Sequence, residues 1–374
     1  MEVVVTGIGL VSALGDLAAS WQQLVAGKSA IELLQPFPEL KQLPLALIRQ
    51  QPMDLQALTK LVVSAAIQDA GLTLPLRDCG VSIGSSRGYQ AAWEKLARKF
   101  DSSGENWLDT LPHMNAIASA RQIGASLVPV LAPMAACATG IWAISQGYEL
   151  IKTGQCDRVI AGATEAPVTP LTLAGFERMG ALAPTGSYPF DRQRQGLVLG
   201  EGGAVLVLES AKLARLRSAR IYGQILGFGL TADAHYANKP DIEGKSAIAA
   251  IKQCLDRSNL SPFDIEYIHA HGTATQIGDR HEAKLIRYIF PQNVPISSTK
   301  GATGHTLGAS GAIGAAFCLM ALQQQVLPPS VGLQASEFDL NLVTKAQQSN
   351  IDRALCFSFG FGGQNAVMAV GKYE

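Results

Sequence analysis

The chain of 374 residues reads as a mixed α/β protein made of two related halves around a buried helical layer. Three observations carry that reading. Apolar strand patterns alternate with longer helical ones along the whole chain. One order of elements occurs twice: "SAAIQDAGL" passes through a short loop into "CGVSIGSS", and "AIAAIKQCLDRSNL" passes through a short loop into "EYIHAHGT". Each half also holds one long uncharged stretch, between Arg121 and Glu149 and between Lys300 and Glu337.

Taken in order, the pattern predicts strands at 2–7, 79–85, 158–165, 202–210, 221–230, 264–272, 354–360 and 365–372. Helices are expected at 15–27, 55–70, 140–153, 244–258, 280–289 and 308–324. The uncharged stretches carry Gly and Pro and are rich in Ala, Ser and Thr, unlike the run of about 20 predominantly apolar residues that spans a bilayer. They read as loops feeding helices that are apolar all round, which belong inside a large protein. Two such helices call for a layer covered on both sides. The seam falls near Glu209 to Leu216, giving halves at 1–211 and 212–374.

Composition excludes several classes. Thirty basic residues balance thirty acidic ones, with no block of either sign, against the basic face of a nucleic-acid binder. The six cysteines are scattered, with no CxxC pair and no Cys/His cluster, so neither a disulfide framework nor a metal site is expected. A reducing, cytoplasmic compartment follows. "MEVVVTGIG" lacks the basic start and apolar run of a signal peptide.

Two glycine turns are decoys. "VTGIGLVS" resembles a dinucleotide-binding turn, with Glu32 at a suitable distance, but Ser12 holds the third small position. "GSSRG" at 84–88 follows a strand and precedes a helical pattern, the context of a serine-hydrolase elbow, so Ser86 is a candidate nucleophile.

Cys137, in "PMAACATGI", is the sharper candidate. A buried cysteine is usually an inert small hydrophobe, which suits Cys254 and Cys318. Cys137 instead stands just before a helical run, among residues small enough to admit a substrate. A helix N-terminus lowers a thiol's pKa and offers free N–H groups to an oxyanion. On these residues alone, nucleophile and core cysteine both remain open. His271 in "IHAHGTAT", and Lys300 and His305 in "SSTKGATGHTLG", add titratable groups at the edges of buried elements. Imidazole donates a hydrogen bond or moves a proton near neutral pH. "FSFGFGGQN" adds a glycine loop carrying Phe361, whose backbone can supply a second oxyanion donor.

The constellation resembles the β-ketoacyl-[acyl-carrier-protein] synthases of the I/II type. It does so nearly end to end, through "VVVTGIGLVSALG", "AACATGI", "PFDRQRQGLVLGEGGAVLVLE", "AHGTATQIGDRHEA", "SSTKGATGHTLGASG" and "SFGFGGQN". The resemblance implies the thiolase fold, two pseudo-duplicated halves in five α-β-α-β-α layers. It implies Cys137 as the nucleophile that carries an acyl group, with the N–H groups of Cys137 and Phe361 as its oxyanion hole. His271 and His305 would stabilise the enolate formed from malonyl-acyl carrier protein. Lys300 and Glu282 would form an ion pair organising the His305 loop, and Phe361 would gate the site. Thr273 and Thr275 would bind the pantetheine arm. Acyl carrier protein is the implied partner and no cofactor is implied. A homodimer is implied, with the strand near 158–163 pairing across its two-fold axis.

The chain departs from the family at several positions. His269 replaces a usual Asn. Leu197 stands where a Phe is common in the acyl channel, and Asn238 where the pantetheine tunnel often has Thr. Arg87 falls where an apolar residue commonly borders the acyl pocket; a guanidinium inside that pocket would select a short or polar primer. The basic cluster often seen before the 55–70 helix reads Arg49-Gln50-Gln51. Two other functions compete with condensation: ester hydrolysis through Ser86, and a non-catalytic chain-length-factor-like partner. Such partners lack the nucleophilic cysteine.

Overall fold

The computed structural model describes residues 1–99, 107–291 and 293–373. Among the described residues the central sheet has eleven strands, of which the short Gly15–Asp16 strand only extends the first as a hairpin, and ten lie along one path: β1 (Val3–Ser12), β2 (Cys79–Gly84), β3 (Val130–Leu131), β4 (Arg158–Glu165), β5 (Gly202–Ser210), β6 (Gly223–Ala232), β7 (Tyr267–His269), β8 (Ile296–Ser297), β9 (Arg353–Gly360) and β10 (Gln364–Gly371). Their spatial order is β8-β7-β9-β10-β6-β1-β5-β4-β2-β3. Within the first five strands the order is 3-2-4-5-1, and within the last five it is again 3-2-4-5-1. The repeated "helix, loop, strand" text is thus matched by a repeated topology. The two sets join where Val3–Val5 run antiparallel to Gly223–Ile225.

The helices that position the site are α1 (Leu55–Asp69), α2 (Met114–Ile123), α3 (Thr139–Lys152), α4 (Lys245–Ser258), α5 (Gln276–Ile289) and α6 (Ser310–Gln324). Helix α3 packs on β4 and β2, α6 packs on β9, and the two pack on each other. They form the layer between the two five-strand sets. Helices α1 and α2 cover one outer face and α4 the other. The stretch Leu307–Gln324 has the length and apolarity of a membrane span, yet 89% of it is buried inside the protein. Phe317, Leu319 and Leu322 are among the side chains it hides, each contributing about 1.5–3 kcal/mol.

Glycine decides how closely the central helices meet. A Cβ on Gly140 of α3 would lie 2.4 Å from the Ala312 nitrogen of α6. Only a residue without Cβ allows that crossing, and the crossing brings together the loops that lead into the two helices. Cys137 is on one loop and His305 on the other.

Several sequence expectations change. The strand expected at 264–272 is only Tyr267–His269. Before it, Ser261 and Asp264 form a capping box around a short 3-10 turn; after it, Gly272 and Ala274 take positive φ and bend the chain away. Helix α5 starts at Gln276 rather than 280, because Thr275 Oγ1 caps it by accepting from the Gly278 N–H. Helices at Gln90–Lys99, Met114–Ile123 and Pro170–Arg178 were not among those expected. The strand expected to pair across a two-fold axis cannot do so. Strand β4 is bonded along both edges, to β2 and to β5, and has no free N–H row. The free edge of the first set belongs to β3, which among the described residues pairs only with β2.

Candidate active site

Cys137 sits two residues before α3 and is buried at 8% exposure. The preceding residue, Ala136, has φ 47°, a left-handed conformation that strains a residue with a Cβ. Thr139 holds that turn: its hydroxyl donates to the Ala136 carbonyl (2.6 Å) and accepts from the Ala135 N–H (2.9 Å). Ser358 of β9 donates to the Cys137 carbonyl at 2.8 Å. The backbone around Cys137 is therefore fixed from both halves.

Burial pushes the Cys137 thiol up to about 11, opposed by the Lys300 cation and the Phe361 N–H. The lowered pKa expected from the helix terminus is not what this site produces. Desolvation dominates because the sulfur is enclosed. The iodoacetamide alkylation rate of Cys137, corrected for the Cys137→Ala background, should rise about tenfold per pH unit from pH 7 to 10. A plateau near pH 8 would contradict the burial effect.

His271 follows β7. Its N–H donates to Glu282 (2.6 Å), as does the Gly272 N–H (2.7 Å). From the other side, Lys300 Nζ donates to the His271 carbonyl and stands 3.5 Å from His271 Nδ1. Glu282 and Lys300 do not form the expected ion pair. They clamp the same stretch of backbone from opposite sides, and each satisfies buried peptide groups that would otherwise be orphaned. Burial raises the Glu282 carboxyl to about 7 and lowers the Lys300 ammonium. While Lys300 is charged it can only donate, which favours the His271 tautomer that accepts at Nδ1 and carries the ring proton on Nε2.

His305 is held by its backbone against the 198–200 segment: its N–H donates to the Val198 carbonyl (2.6 Å) and its carbonyl accepts from Gly200 (3.1 Å). Its Nδ1 meets Ser310 Oγ at 2.9 Å. The two imidazoles stand edge to face, 5.4 Å between centroids. Burial and the Lys300 cation hold both pKa values well below the usual histidine range, so both rings are neutral at pH 7.

A cavity of about 300 Å³ opens onto Cys137, His271 and His305. Leu197, Asn238, Thr273, Thr275, Glu282 and Phe361 also line it; Lys300 lies behind His271, outside the lining. The Thr273 and Thr275 hydroxyls meet at 2.9 Å. Arg87 does not enter the cavity. Its backbone N–H is tied to Glu165, its guanidinium lies over the Phe176 ring 5.7 Å from the centroid, and its side chain is exposed. The condition for a short or polar primer, a guanidinium inside the pocket, is therefore not met in the single chain.

Ser86 is not placed as a hydrolase nucleophile. Its hydroxyl donates to Glu165 Oε2 at 2.5 Å, whereas His271 and His305 face the Cys137 cavity. A Ser86→Ala variant should keep activity at the Cys137 cavity within about threefold and lose about 1–2 kcal/mol of stability, since other donors still satisfy Glu165. Steady-state rates and thermal melts check this. Sequence reasoning missed Ser310, Ser358 and Glu165. Ser310 alone had a local signal, lying five residues beyond His305 at the start of the helix that follows it.

Family models described as "Beta-ketoacyl synthase, N-terminal domain" and "Beta-ketoacyl synthase, C-terminal domain" match residues 46–214 and 222–334. The chain is 32% identical to 3-oxoacyl-[acyl-carrier-protein] synthase 2 of Staphylococcus aureus (strain MRSA252) over 410 aligned positions, covering 100% of this chain and 99% of that one. Among solved structures, it superposes on the AntDE ketosynthase of a type II polyketide system, seen with its acyl-carrier protein AntF, at TM-score 0.91 and 27% identity, covering 100% of this chain and 99% of that one. A β-ketoacyl synthase from Burkholderia phymatum STM815 superposes at TM-score 0.90 and 26% identity, covering 100% of both chains.

Proposed function

The chain belongs to the β-ketoacyl synthase family, and from that premise we propose that Cys137, His271 and His305 carry out its decarboxylative condensation. One observation carries the assignment: a nucleophile and two neutral imidazoles share one cavity.

In the first half-reaction, Cys137 Sγ attacks the carbonyl of an acyl thioester on acyl carrier protein. The oxyanion is held by the N–H groups of Cys137 and Phe361. The carrier's pantetheine thiolate leaves with the proton that the thiol gives up, and the acyl group stays on sulfur. Malonyl-acyl carrier protein then enters, its pantetheine arm beside Thr273, Thr275 and Asn238. Carbon dioxide leaves, and the developing enolate oxygen takes hydrogen bonds from Nε2–H of His271 and His305. The enolate carbon attacks the acyl carbonyl and the Cys137 thiolate departs and takes up a proton. The product is a β-ketoacyl thioester two carbons longer. Glu282 and Lys300 keep His271 in place, and Phe361 covers the nucleophile. Phe361 packs on Phe176, 5.9 Å between centroids, and lines the cavity with Leu197, which supports it as the cover of the acyl path.

Intact-protein mass after incubation with acyl carrier-protein thioesters of graded length tests the first step. A gain of one acyl mass supports the assignment and identifies the preferred chain. No gain with any donor would move the chain to the non-catalytic class, a reading that the retained Cys137 and both histidines disfavour.

The halves at 1–211 and 212–374 act as one unit in this reading, each contributing one side of the cavity. A homodimer is also proposed, built on the free edge of β3 in place of β4. Exposed Leu127 and Met134 flank that edge in sequence, and an uncovered strand edge invites pairing. Sedimentation should give twice the chain mass, and Val130→Pro, which removes one edge N–H, should shift it toward monomer.

A further inference from the structure

Glu165, at the end of β4, is completely buried, and five donors converge on its carboxylate. Oε1 accepts from Ser85 Oγ (2.6 Å) and the Arg87 N–H (3.0 Å). Oε2 accepts from the Ser86 N–H (2.7 Å), Ser86 Oγ (2.5 Å) and the Gly308 N–H (3.0 Å). The donors come from two segments far apart in the chain. The 84–88 turn packs on the nucleophile's side, where a Cβ on Gly84 would lie 2.4 Å from Thr139 Cγ2. Gly308 belongs to the turn that carries His305 into α6.

That turn is strained and tight. Leu307 has φ 41°. A Cβ on Gly308 would lie 2.4 Å from Glu165 Oε2 and under 3 Å from Ser86. The His305 ring takes its orientation from Ser310, two residues beyond Gly308. We propose that Glu165 is a positioning residue for the condensation step, fixing the His305 turn against the wall that holds the nucleophile. The inference rests on the condensing function above and assigns Glu165 no contact with substrate.

The same carboxylate opposes formation of the Cys137 thiolate, so one substitution should move two measurements in opposite directions. Glutamine fills the same volume but turns one acceptor oxygen into a donor. Whichever way its amide faces, at least one of the Arg87, Ser86 and Gly308 N–H groups meets an N–H. In Glu165→Gln, acyl-enzyme formation should stay within about threefold of wild type, while condensation should fall by at least about tenfold. Alkylation of Cys137 at pH 8 should become faster, because a nearby negative charge is gone. A merely structural weakening would slow all three together. The proposal is overturned if condensation is unchanged, or if acylation and condensation fall by one common factor. Should Glu165→Gln not fold, Glu165→Asp, which keeps the charge but is one methylene shorter, carries the same acylation and condensation arms. Failure of both to fold would make Glu165 a general support of the fold and overturn the positioning role. If wild type itself takes no acyl group, the condensing function fails, and that outcome is separate from any variant's.

Discussion

Replacing Cys137 with alanine should abolish the acyl-enzyme and lower condensation by at least about 10³-fold, with folding intact. The stability change should be small. The side chain is compact, its own backbone is held by Ser358 and its neighbour's by Thr139, and those bonds survive the substitution. The kinetic effect is large because no other group can hold the acyl chain as a thioester in this cavity. Ser86 is turned into Glu165. Cys356 and Cys318 are fully buried under the sheet and α6. Intact mass and a condensation assay run on one preparation check the result. Acylation that persists in Cys137→Ala would place the nucleophile elsewhere.

Alanine in place of His271 or His305 should give the complementary result. Acylation of Cys137 survives, while decarboxylation and condensation fall by roughly 10²–10⁴-fold. The reason lies in the protonation state. Burial and the Lys300 cation keep both rings neutral well below pH 6.5, so each can present one N–H to the enolate oxygen without carrying a charge. Charged Lys300 favours the His271 proton on Nε2, and Ser310 can do the same for His305 by donating to Nδ1. Because the folded-state pKa values are depressed, lowering the pH from 7 to 6 should leave this donor pair in place. Removing both histidines should cost little more than removing one, since the two act on one oxygen as a unit. Carbon dioxide release from malonyl thioester, measured apart from acylation, reads the effect. Equal losses in acylation and condensation would assign the histidines to the wrong step.

Much of the fold was legible. Strands 158–165 and 202–210 agree to the residue, because each is a continuous apolar run ended by charge or Gly. The 308–324 helix declared its burial by lacking any charged face. The repeat in the text predicted a repeat in space, and the 3-2-4-5-1 order supplies it twice. The cysteine and both histidines stood out as candidates because they lie in small-residue loops beside buried elements, and the structure brings the three to one cavity.

Most other features have no local signature. Helices 114–123 and 170–178 carry too few apolar residues in register to stand out, whereas 90–99 has a clear amphipathic face that the sequence reading passed over. Glu282 and Lys300 read as an ion pair from their match to the family's glutamate and lysine. Only the fold places the His271–Gly272 backbone between them, where each charge is better used on peptide groups. The thiol's raised pKa depends on enclosure by residues from both halves, which outweighs the helix terminus visible in the sequence. Glu165 acquires its role only when turns 79 residues before it and 143 after it arrive at one carboxylate. Sequence by itself determined which groups could react, because reactivity is a property of residue type and near neighbours. Tertiary structure decided what holds those groups and in which protonation state, because hydrogen bonding and desolvation act between segments that are distant along the chain.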